Sequence, residues 1–154
     1  MKRVSVASDH AGFSLKTLVI QFLRDAGYDI IDLGTHSTDP VDYPDYARAI
    51  AESILSGEST EGILLCGSGV GACVVANKFP GIRAGLCHDT YSAHQSREHD
   101  DCNVLCMGPR IIGDKLALEN VRAWINAKFT GEERHVKRLE KLKAIEKQLY
   151  KVKS

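Results

Sequence analysis

Residues 62–71 read Gly-Ile-Leu-Leu-Cys-Gly-Ser-Gly-Val-Gly, and this stretch decides the expected fold. A short apolar run ends at Cys66, and a loop with glycine at every second position follows it. The apolar run is typical of a strand buried on both faces, and the apolar stretch over residues 70–78 fits the first turns of a helix. Cys66 is therefore predicted at the carboxyl end of a strand, beside a helix N-terminus.

This strand–loop–helix segment supports two interpretations. A helix N-terminus with uncovered backbone amides attracts anions and favours a thiolate, so Cys66 is a candidate base or nucleophile. Glycine-rich turns also occur where no chemistry takes place, and a buried cysteine at a strand end is usually a small apolar residue. The segment alone leaves both interpretations open.

Outward from this segment, apolar runs and helix-like stretches alternate along the chain. The predicted strands cover residues 4–7, 28–33, 62–66, 83–87 and 103–107. The predicted helices cover residues 13–26, 44–55, 70–78, 90–98, 114–129 and about 132–151. This alternation predicts one domain over residues 1–154: a five-stranded parallel sheet with helices on both faces, a three-layer α/β/α sandwich.

In such sheets, ligands bind outside the carboxyl ends of the strands. The rule yields a list of candidate site residues from the loops that follow the strands. These candidates are Asp9 and His10 after the first strand, Cys66 with its glycines after the third, His88 and Asp89 after the fourth, and Gly108, Pro109 and Arg110 after the fifth.

The composition narrows the possible partners. The 154 residues carry a formal net charge of zero, so the chain lacks the basic footprint of a nucleic-acid binder. No apolar run approaches the length of a membrane span, and the N-terminus has no signal-peptide pattern. The odd number of cysteines, five, without zinc-like spacing indicates reduced thiols in the cytosol. A cytoplasmic protein that binds neither nucleic acid nor membrane is expected.

The C-terminal helix carries a basic cluster followed by an apolar stripe. The stripe repeats at helical spacing through Leu139, Leu142, Ile145 and Leu149. Because the sandwich is complete without this helix, the stripe is expected to contact a second subunit, although it could also cover its own sheet. The basic cluster is either part of a ligand site or a solvated helix face; its members are Arg134, His135, Lys137 and Arg138.

Two features point to a phosphorylated substrate. One is the glycine turn over residues 67–71, and the other is a set of arginines, Arg110, Arg134 and Arg138, because guanidinium groups bind phosphate bidentately. No Gly-Lys-Ser/Thr follows the glycines, so the turn is not a nucleotide P-loop. Its spacing also differs from the dinucleotide-binding fingerprint. The motif spacing therefore argues against a nicotinamide enzyme or a nucleotidase.

The polar candidates fit proton transfer next to a carbonyl group. A thiolate can accept the proton, and preorganised amides can stabilise the enediolate that forms. His88 and His99 flank a predicted helix, and both are expected near the same pocket. For each histidine alone, a structural role is equally compatible with the sequence. No metal-binding cluster is evident, so no metal is expected.

Several segments together carry a family resemblance. They are residues 8–12, 41–45, 66–71, 76–84, 96–99 and 108–110, and with residues 134–138 they cover nearly the full length. Their content and order resemble the sugar-phosphate isomerase family that includes ribose-5-phosphate isomerase B and galactose-6-phosphate isomerase. No single segment is specific, but the combination is.

The resemblance implies a Rossmann-like sandwich that interconverts ribose 5-phosphate and ribulose 5-phosphate through an enediolate, as an intramolecular oxidoreductase. It implies no metal and no organic cofactor. It also implies a homodimer or a dimer of dimers in which two subunits build each site, with the C-terminal helix providing dimer contacts.

The resemblance also implies roles for individual residues. Cys66 is the base that moves the proton between C1 and C2, and His99 opens the sugar ring or acts as a general acid. Asp9 and His10 hold the sugar. The loop amides and one hydroxyl face the enediolate, and arginines contact substrate and phosphate. The loop residues are Gly67, Ser68, Gly69, Val70 and Gly71, and the arginines are Arg110, Arg134 and Arg138.

The chain departs from the family pattern at three places. Asp100 stands where Asn is common, and an ionised Asp only accepts hydrogen bonds. Ser68 replaces a common Thr and keeps the hydroxyl. Where some members place a Glu base, this chain has Ala72 and Cys73, which resembles the subgroup with a cysteine base. Two alternatives stay open: an allose or galactose 6-phosphate substrate, and a non-catalytic sugar-phosphate-binding module, with Asp100 then part of a decayed binding site.

Overall fold

The computed structural model describes residues 2–150 and confirms the five-stranded parallel sheet with helices on both faces. The strands are β1 (Arg3–Ser8), β2 (Asp29–Asp32), β3 (Glu61–Leu65), β4 (Ala84–Leu86) and β5 (Val104–Met107). The helices are α1 (Phe13–Asp25), α2 (Tyr43–Leu55), α3 (Val70–Ala76), α4 (Thr90–Asp100), α5 (Asp114–Asn126) and α6 (Glu133–Leu149). Residue 151, the predicted end of the last helix, lies outside the described residues.

The strand order in the sheet is β2-β1-β3-β5-β4, and all neighbouring strands are parallel. From β1 the chain moves outward to β2 and then crosses back to β3 on the other side of β1. This reversal creates a crevice between the carboxyl ends of β1 and β3, where ligands bind in doubly wound sheets. Asp9 follows β1 and Cys66 follows β3, so the sheet brings them to that crevice.

Each face of the sheet carries its own hydrophobic core. Alternate residues of a strand point to opposite faces, and in β3 the buried Ile63 belongs to one core and the buried Leu64 to the other. Helices α1 and α5 cover the first face, with Trp124 fully buried. Helices α2 and α3 cover the second face through residues such as Ile50. Among residues 2–150, no helix combines the length and the apolarity that a membrane crossing needs.

Among the helix ends that differ from the sequence prediction, those of α4 and α5 have clear backbone causes. Helix α4 continues to Asp100 and stops because Asp101 adopts a left-handed conformation with φ of 47°. Helix α5 ends at Asn126 rather than at residue 129, because the backbone turns extended at Ala127, with ψ of 152°. The short segment after α5 then contacts α4, where the Thr130 N–H donates to the Glu98 carbonyl at 3.0 Å.

The direction of α4 matters for the site. It begins after β4, at the carboxyl edge of the sheet, and ends before β5, at the amino edge. With 11 residues, it spans about 16 Å. Residues at its two ends therefore lie at opposite edges of the sheet.

Candidate active site

A cleft of about 300 Å³ opens at the carboxyl edge, between the ends of β1 and β3. Other surface clefts are of similar size, including one of about 350 Å³ beside α6, so volume alone does not identify a site. The carboxyl-edge cleft is distinguished by its chemistry, because it gathers a thiol, a carboxylate, an imidazole, two kinds of hydroxyl and a guanidinium. Its lining residues are Asp9, His10, Ala11, Tyr43, Cys66, Gly67, Ser68, Gly71 and Arg110.

Cys66 lines this cleft and directly follows β3. The residue is 5% exposed, and its thiol accepts a hydrogen bond from the Gly69 N–H at an N–Sγ distance of 3.2 Å. Gly69 has a φ of 81°, a left-handed conformation that L side chains rarely adopt, and it forms the N-cap of α3. The glycine turn thus directs a main-chain donor at the sulfur.

Asp9 and His10 follow β1 and face the cleft from the other side. One carboxylate oxygen of Asp9 accepts the Gly12 N–H at 3.1 Å, which anchors the buried carboxylate at the start of α1. Nδ1 of His10 accepts the Val41 N–H at 3.1 Å. Because Nδ1 is the acceptor, the imidazole carries its proton on Nε2, which is then available as a donor to a ligand.

Ser68 lies in the glycine loop and supplies a hydroxyl to the cleft. Its Oγ accepts the Val70 N–H at 3.3 Å, so the hydroxyl hydrogen remains available for a ligand. Together with the bond from Gly69 to Cys66, this means that two of the loop amides are directed at loop side chains. These two amides support the thiol and the hydroxyl.

The Arg110 guanidinium brings positive charge to the cleft, and a close backbone contact with the glycine loop positions it. Its main-chain N–H donates to the Gly67 carbonyl at 3.0 Å, and its guanidinium covers Gly67, where a Cβ would lie 2.9 Å from Nη1. Gly108 packs on the same loop, where a Cβ would lie 2.3 Å from the Ser68 carbonyl carbon. The loop after β5 and the loop after β3 therefore touch backbone to backbone, which fixes Arg110 relative to Cys66.

His88 stabilises the contact between the two loops through Gly108. Its Nε2 accepts the Gly108 N–H at 3.0 Å, a bond that requires the unprotonated nitrogen. Burial lowers the pKa of His88 from its ordinary value of 6.5, and the nearby Asp89 offsets only part of that effect. His88 thus acts on the cleft through Gly108 and does not line it.

We expect the folded protein to lose stability as the pH falls below about 6.5. The folded-state pKa of His88 is depressed, so between the two pKa values the unfolded chain binds more protons and the free energy of unfolding decreases with falling pH. His88→Gln keeps an acceptor for Gly108 without titrating. Urea unfolding at about pH 7.5 and about pH 5.5 should show a smaller decrease in the variant than in the wild type. Equal decreases would contradict this role.

Tyr43 lines the cleft although sequence reasoning did not select it. Its ring packs on Gly71, where a Cβ would lie 2.7 Å from the ring carbons. Tyr43 is the first residue of α2, and Pro44 follows it in the first turn, as the sequence predicts. The loop between β2 and α2 is long, so the rule that ligands bind just outside the carboxyl ends of the strands did not indicate which of its residues reaches the cleft. The absence of a side chain at Gly71 leaves room for the Tyr43 ring. This role is separate from any hydrogen bond that the Gly71 amide donates to a ligand.

The remaining predicted site residues lie elsewhere. His99 and Asp100 end α4 at the amino edge of the sheet, about 16 Å along that helix from the carboxyl edge. Arg134 and Arg138 lie on α6, which begins beside the end of α4. Arg134 pairs with Glu132 at 3.1 Å on the exposed surface. The expectation that His88 and His99 share a pocket is therefore wrong within one chain, because α4 separates them.

His135 accompanies His99 in this second group. The two imidazole rings stack with centroids 4.2 Å apart and planes 15° apart. His135 is only 3% exposed, and its Nε2 has no hydrogen-bond partner among residues 2–150. Burial, followed by the proximity of His99 and Arg134, lowers its pKa. The sequence showed a histidine within a basic cluster, but its burial and its stacking depend on tertiary contacts.

The other cysteines differ from Cys66 in their surroundings. Burial raises the pKa of Cys87 to about 11 and that of Cys102 to about 12, so both remain thiols near neutral pH. Cys106 is fully buried, and a hydrogen bond with Cys73 and burial both raise its pKa. All five cysteines are free. Within the described range 2–150, no group of three or more potential ligands is placed to hold a metal ion.

The fold and the cleft together define a class: doubly wound α/β proteins that bind a small polar ligand at the carboxyl edge, here with a thiol and an arginine facing it. Comparison with known proteins narrows this class. The family model described as ribose/galactose isomerase matches residues 4–142. The chain therefore belongs to the ribose/galactose isomerase family.

Individual relatives agree in sequence and in structure. Ribose-5-phosphate isomerase B of Escherichia coli is 46% identical, with 95% of this chain and 97% of the relative covered. The structure of ribose-5-phosphate isomerase B from Clostridium thermocellum superimposes with a TM-score of 0.93 at 46% identity, over 96% of this chain and 99% of that one. The Mycoplasma genitalium enzyme, solved with bound ribulose 5-phosphate, gives 0.89 at 35% identity, over 95% and 97%.

Proposed function

We propose that this protein interconverts D-ribose 5-phosphate and D-ribulose 5-phosphate by proton transfer through an enediolate. The family membership and the relatives named ribose-5-phosphate isomerase B support this reaction. The observation that carries the proposal is the position of Cys66, whose thiol lines an open cleft and accepts a main-chain hydrogen bond.

In the proposed mechanism, the Cys66 thiolate removes the proton from C2 of the open-chain aldose. The electron pair moves into the C1–C2 bond, and negative charge develops on the C1 oxygen. A proton passes from the C2 hydroxyl to the C1 oxygen, and the thiol returns its own proton to C1, so that C1 carries the hydroxyl and C2 the carbonyl of the ketose. Both steps use groups of the protein itself, and a general base in such a position contributes about 10²- to 10⁴-fold to the rate.

Donors around Cys66 can stabilise the enediolate charge. The Ser68 hydroxyl and the Nε2–H of His10 are available donors in the same cleft. Main-chain amides of Gly67 and Gly71 are further candidates. Preorganised donors of this kind stabilise charge that develops in the transition state. Asp9, anchored through Gly12, is positioned to accept a hydrogen bond from a sugar hydroxyl.

We propose that Arg110 contacts the substrate in the cleft, and that Arg134 and Arg138 bind the phosphate. Arg110 is exposed and covers Gly67. The two arginines on α6 belong to the group that includes His99, at the other edge of the sheet. A single chain keeps these groups apart, so one subunit does not form the whole proposed site.

A homodimer, or a dimer of dimers, with sites shared between subunits resolves this separation. One subunit would contribute Cys66, and its partner would contribute His99 with Arg134. The C-terminal helix supports such contacts, since its apolar stripe is buried only at Leu139, while Ile145 is 58% exposed and Leu149 73%. Exposed apolar stripes of this kind are typical of interfaces.

The substrate is tested with a panel of sugar phosphates. We expect the highest kcat/KM for ribose 5-phosphate and much lower values for allose 6-phosphate and galactose 6-phosphate, because one extra carbon must fit into a small cleft. Exchange of the C2 hydrogen with deuterated water, followed by NMR, reports the proton transfer directly. Binding of ribose 5-phosphate without formation of ribulose 5-phosphate and without such exchange would contradict catalysis, and a preference for a hexose would contradict the substrate.

We further propose that the chain acts as a single domain in the cytoplasm. Two cores on one continuous sheet support the single domain, with the segment from about residue 132 as a C-terminal extension. Five free cysteines, including the one that serves as base, support a reducing compartment.

A further inference from the structure

Gln95 makes a contact that the proposed mechanism does not use. It lies on α4 one turn before His99, and its side-chain Nε2 is 3.0 Å from Nδ1 of His99. The same Nε2 is 3.5 Å from Oδ2 of Asp100. One amide nitrogen thus faces both an imidazole nitrogen and a carboxylate oxygen.

The carboxylate decides which end of the Gln95 amide faces His99. An ionised Asp only accepts hydrogen bonds, so the amide must present its NH₂ group to Asp100. The opposite orientation would direct the amide oxygen at the carboxylate. With two hydrogens, the NH₂ group can donate one to Asp100 and the other to Nδ1 of His99. An Asn at position 100 would accept either orientation.

We infer that Gln95 and Asp100 are positioning residues that fix the tautomer of His99. Because Nδ1 accepts from Gln95, the ring proton lies on Nε2, and the imidazole presents an N–H donor. Stacking on His135, with planes 15° apart, holds the ring orientation. The inference rests on the proposed function, in which His99 acts on the sugar ring; it gives His99 the role of donor to a sugar oxygen.

A neighbouring pair on the same helix has the opposite arrangement. Nδ1 of His94 is 2.8 Å from the carboxylate of Glu98, an acceptor, so this ring carries its proton on Nδ1. Two histidines on one helix, each facing a residue one turn away, are therefore held in different tautomers. The partner, an amide or a carboxylate, makes the difference.

The test replaces the amide by a carboxylate. In Gln95→Glu, the side chain accepts from Nδ1–H, so in the neutral imidazole the proton moves to Nδ1 and Nε2 carries no hydrogen. Two-bond ¹H–¹⁵N NMR spectra of the full-length protein report the tautomer of each of the six histidines, and the signal lost in His99→Gln assigns His99. We expect Nε2–H in the wild type, Nδ1–H in Gln95→Glu and a mixture in Asp100→Asn.

The kinetic expectation follows from the loss of the donor. Gln95→Glu should lower kcat about 10- to 100-fold, at most the lower bound of the range for proton-transfer groups, because the imidazole itself remains in place. Gln21→Glu is the matched control, since Gln21 donates to Asp25 one turn away on the exposed side of α1, at 2.8 Å. It introduces the same charge on another helix and should leave kcat unchanged.

The two readouts separate this inference from the proposed function. An Nδ1–H tautomer in the wild type, or the same tautomer in wild type and Gln95→Glu, would overturn the inference. An unchanged kcat in Gln95→Glu, with the tautomer inverted, would overturn the donor role. A wild-type protein that shows the Nε2–H tautomer but no isomerase turnover would overturn the proposed function and leave the tautomer assignment in place.

Discussion

Replacing Cys66 with Ala should lower isomerase turnover by about 10²- to 10⁴-fold, because it removes the group that accepts the proton. The fold should persist, since the substitution removes one sulfur atom from a core residue that also borders the cleft. Circular dichroism and thermal unfolding check the fold, and initial rates with ribose 5-phosphate check turnover. Near wild-type turnover would contradict the thiolate mechanism.

Cys73→Ala is the control for this substitution. Cys73 is half-buried on α3, close to the glycine loop, and it does not line the cleft. The same change in chemistry at this neighbouring position should leave kcat unchanged. A similar loss of turnover in both variants would mean that the loss does not depend on the Cys66 thiol as the proton acceptor.

Cys66→Ala also tests whether each site is built from two subunits. His99→Ala should lower turnover by itself, and hybrid dimers with Cys66→Ala subunits should contain one site with both residues intact. Random mixing gives half hybrids, each with one of two sites complete, so about a quarter of the wild-type activity should return. Hybrids detected by mass spectrometry without recovered activity would contradict sites built from two subunits.

Replacing Arg97 with Met should lower the free energy of unfolding by about 3–5 kcal/mol, the usual cost of removing one partner of a buried ion pair. The Arg97 guanidinium pairs with Glu61, and the two side chains are 10% and 3% exposed. It also lies 4.5 Å from the ring centroid of Trp124. Without it, Lys2, at 4.0 Å, is the only counter-charge that residues 2–150 leave to the Glu61 carboxylate. Urea unfolding followed by circular dichroism measures the difference.

Two further variants show whether the buried ion pair causes the loss in the free energy of unfolding. Arg3→Met breaks an exposed pair with Asp29, whose side chains are 49% and 45% exposed, and should cost less than about 1 kcal/mol. Adding Glu61→Gln to Arg97→Met removes the uncompensated charge, so the double variant should be more stable than Arg97→Met alone. If the decrease in the free energy of unfolding of the double variant equalled the sum of the decreases in Arg97→Met and Glu61→Gln, the ion pair would not be the cause of the destabilisation.

Much of the fold follows from local pattern. Buried strands and amphipathic helices alternate at a spacing that permits only parallel connections, which predicts the layers and the edge where ligands bind. The order of the strands does not follow from that pattern, because it depends on which edge each helix crosses to. Short elements such as β4, with three residues, were located only to within a residue or two.

The candidate site was predictable where it depends on strand ends. Asp9, His10, Cys66 and Arg110 each follow a strand closely, and all four line the cleft. Tyr43 was missed because a long loop precedes it. His99 was misplaced because its position depends on the length and direction of α4, and its role came from the family resemblance rather than from spacing.

The backbone contact between Gly108 and Ser68 also restricts how this sequence can change. An added methyl group at Gly108 would meet main-chain atoms of Gly67 and Ser68 at 2.3–2.4 Å. No side chain stands between the two loops, so no compensating substitution nearby can make room for that methyl. The distance between Cys66 and Arg110 therefore does not depend on side-chain substitutions in the surrounding core. Any residue other than glycine at position 108 would force the main chains of the two loops apart.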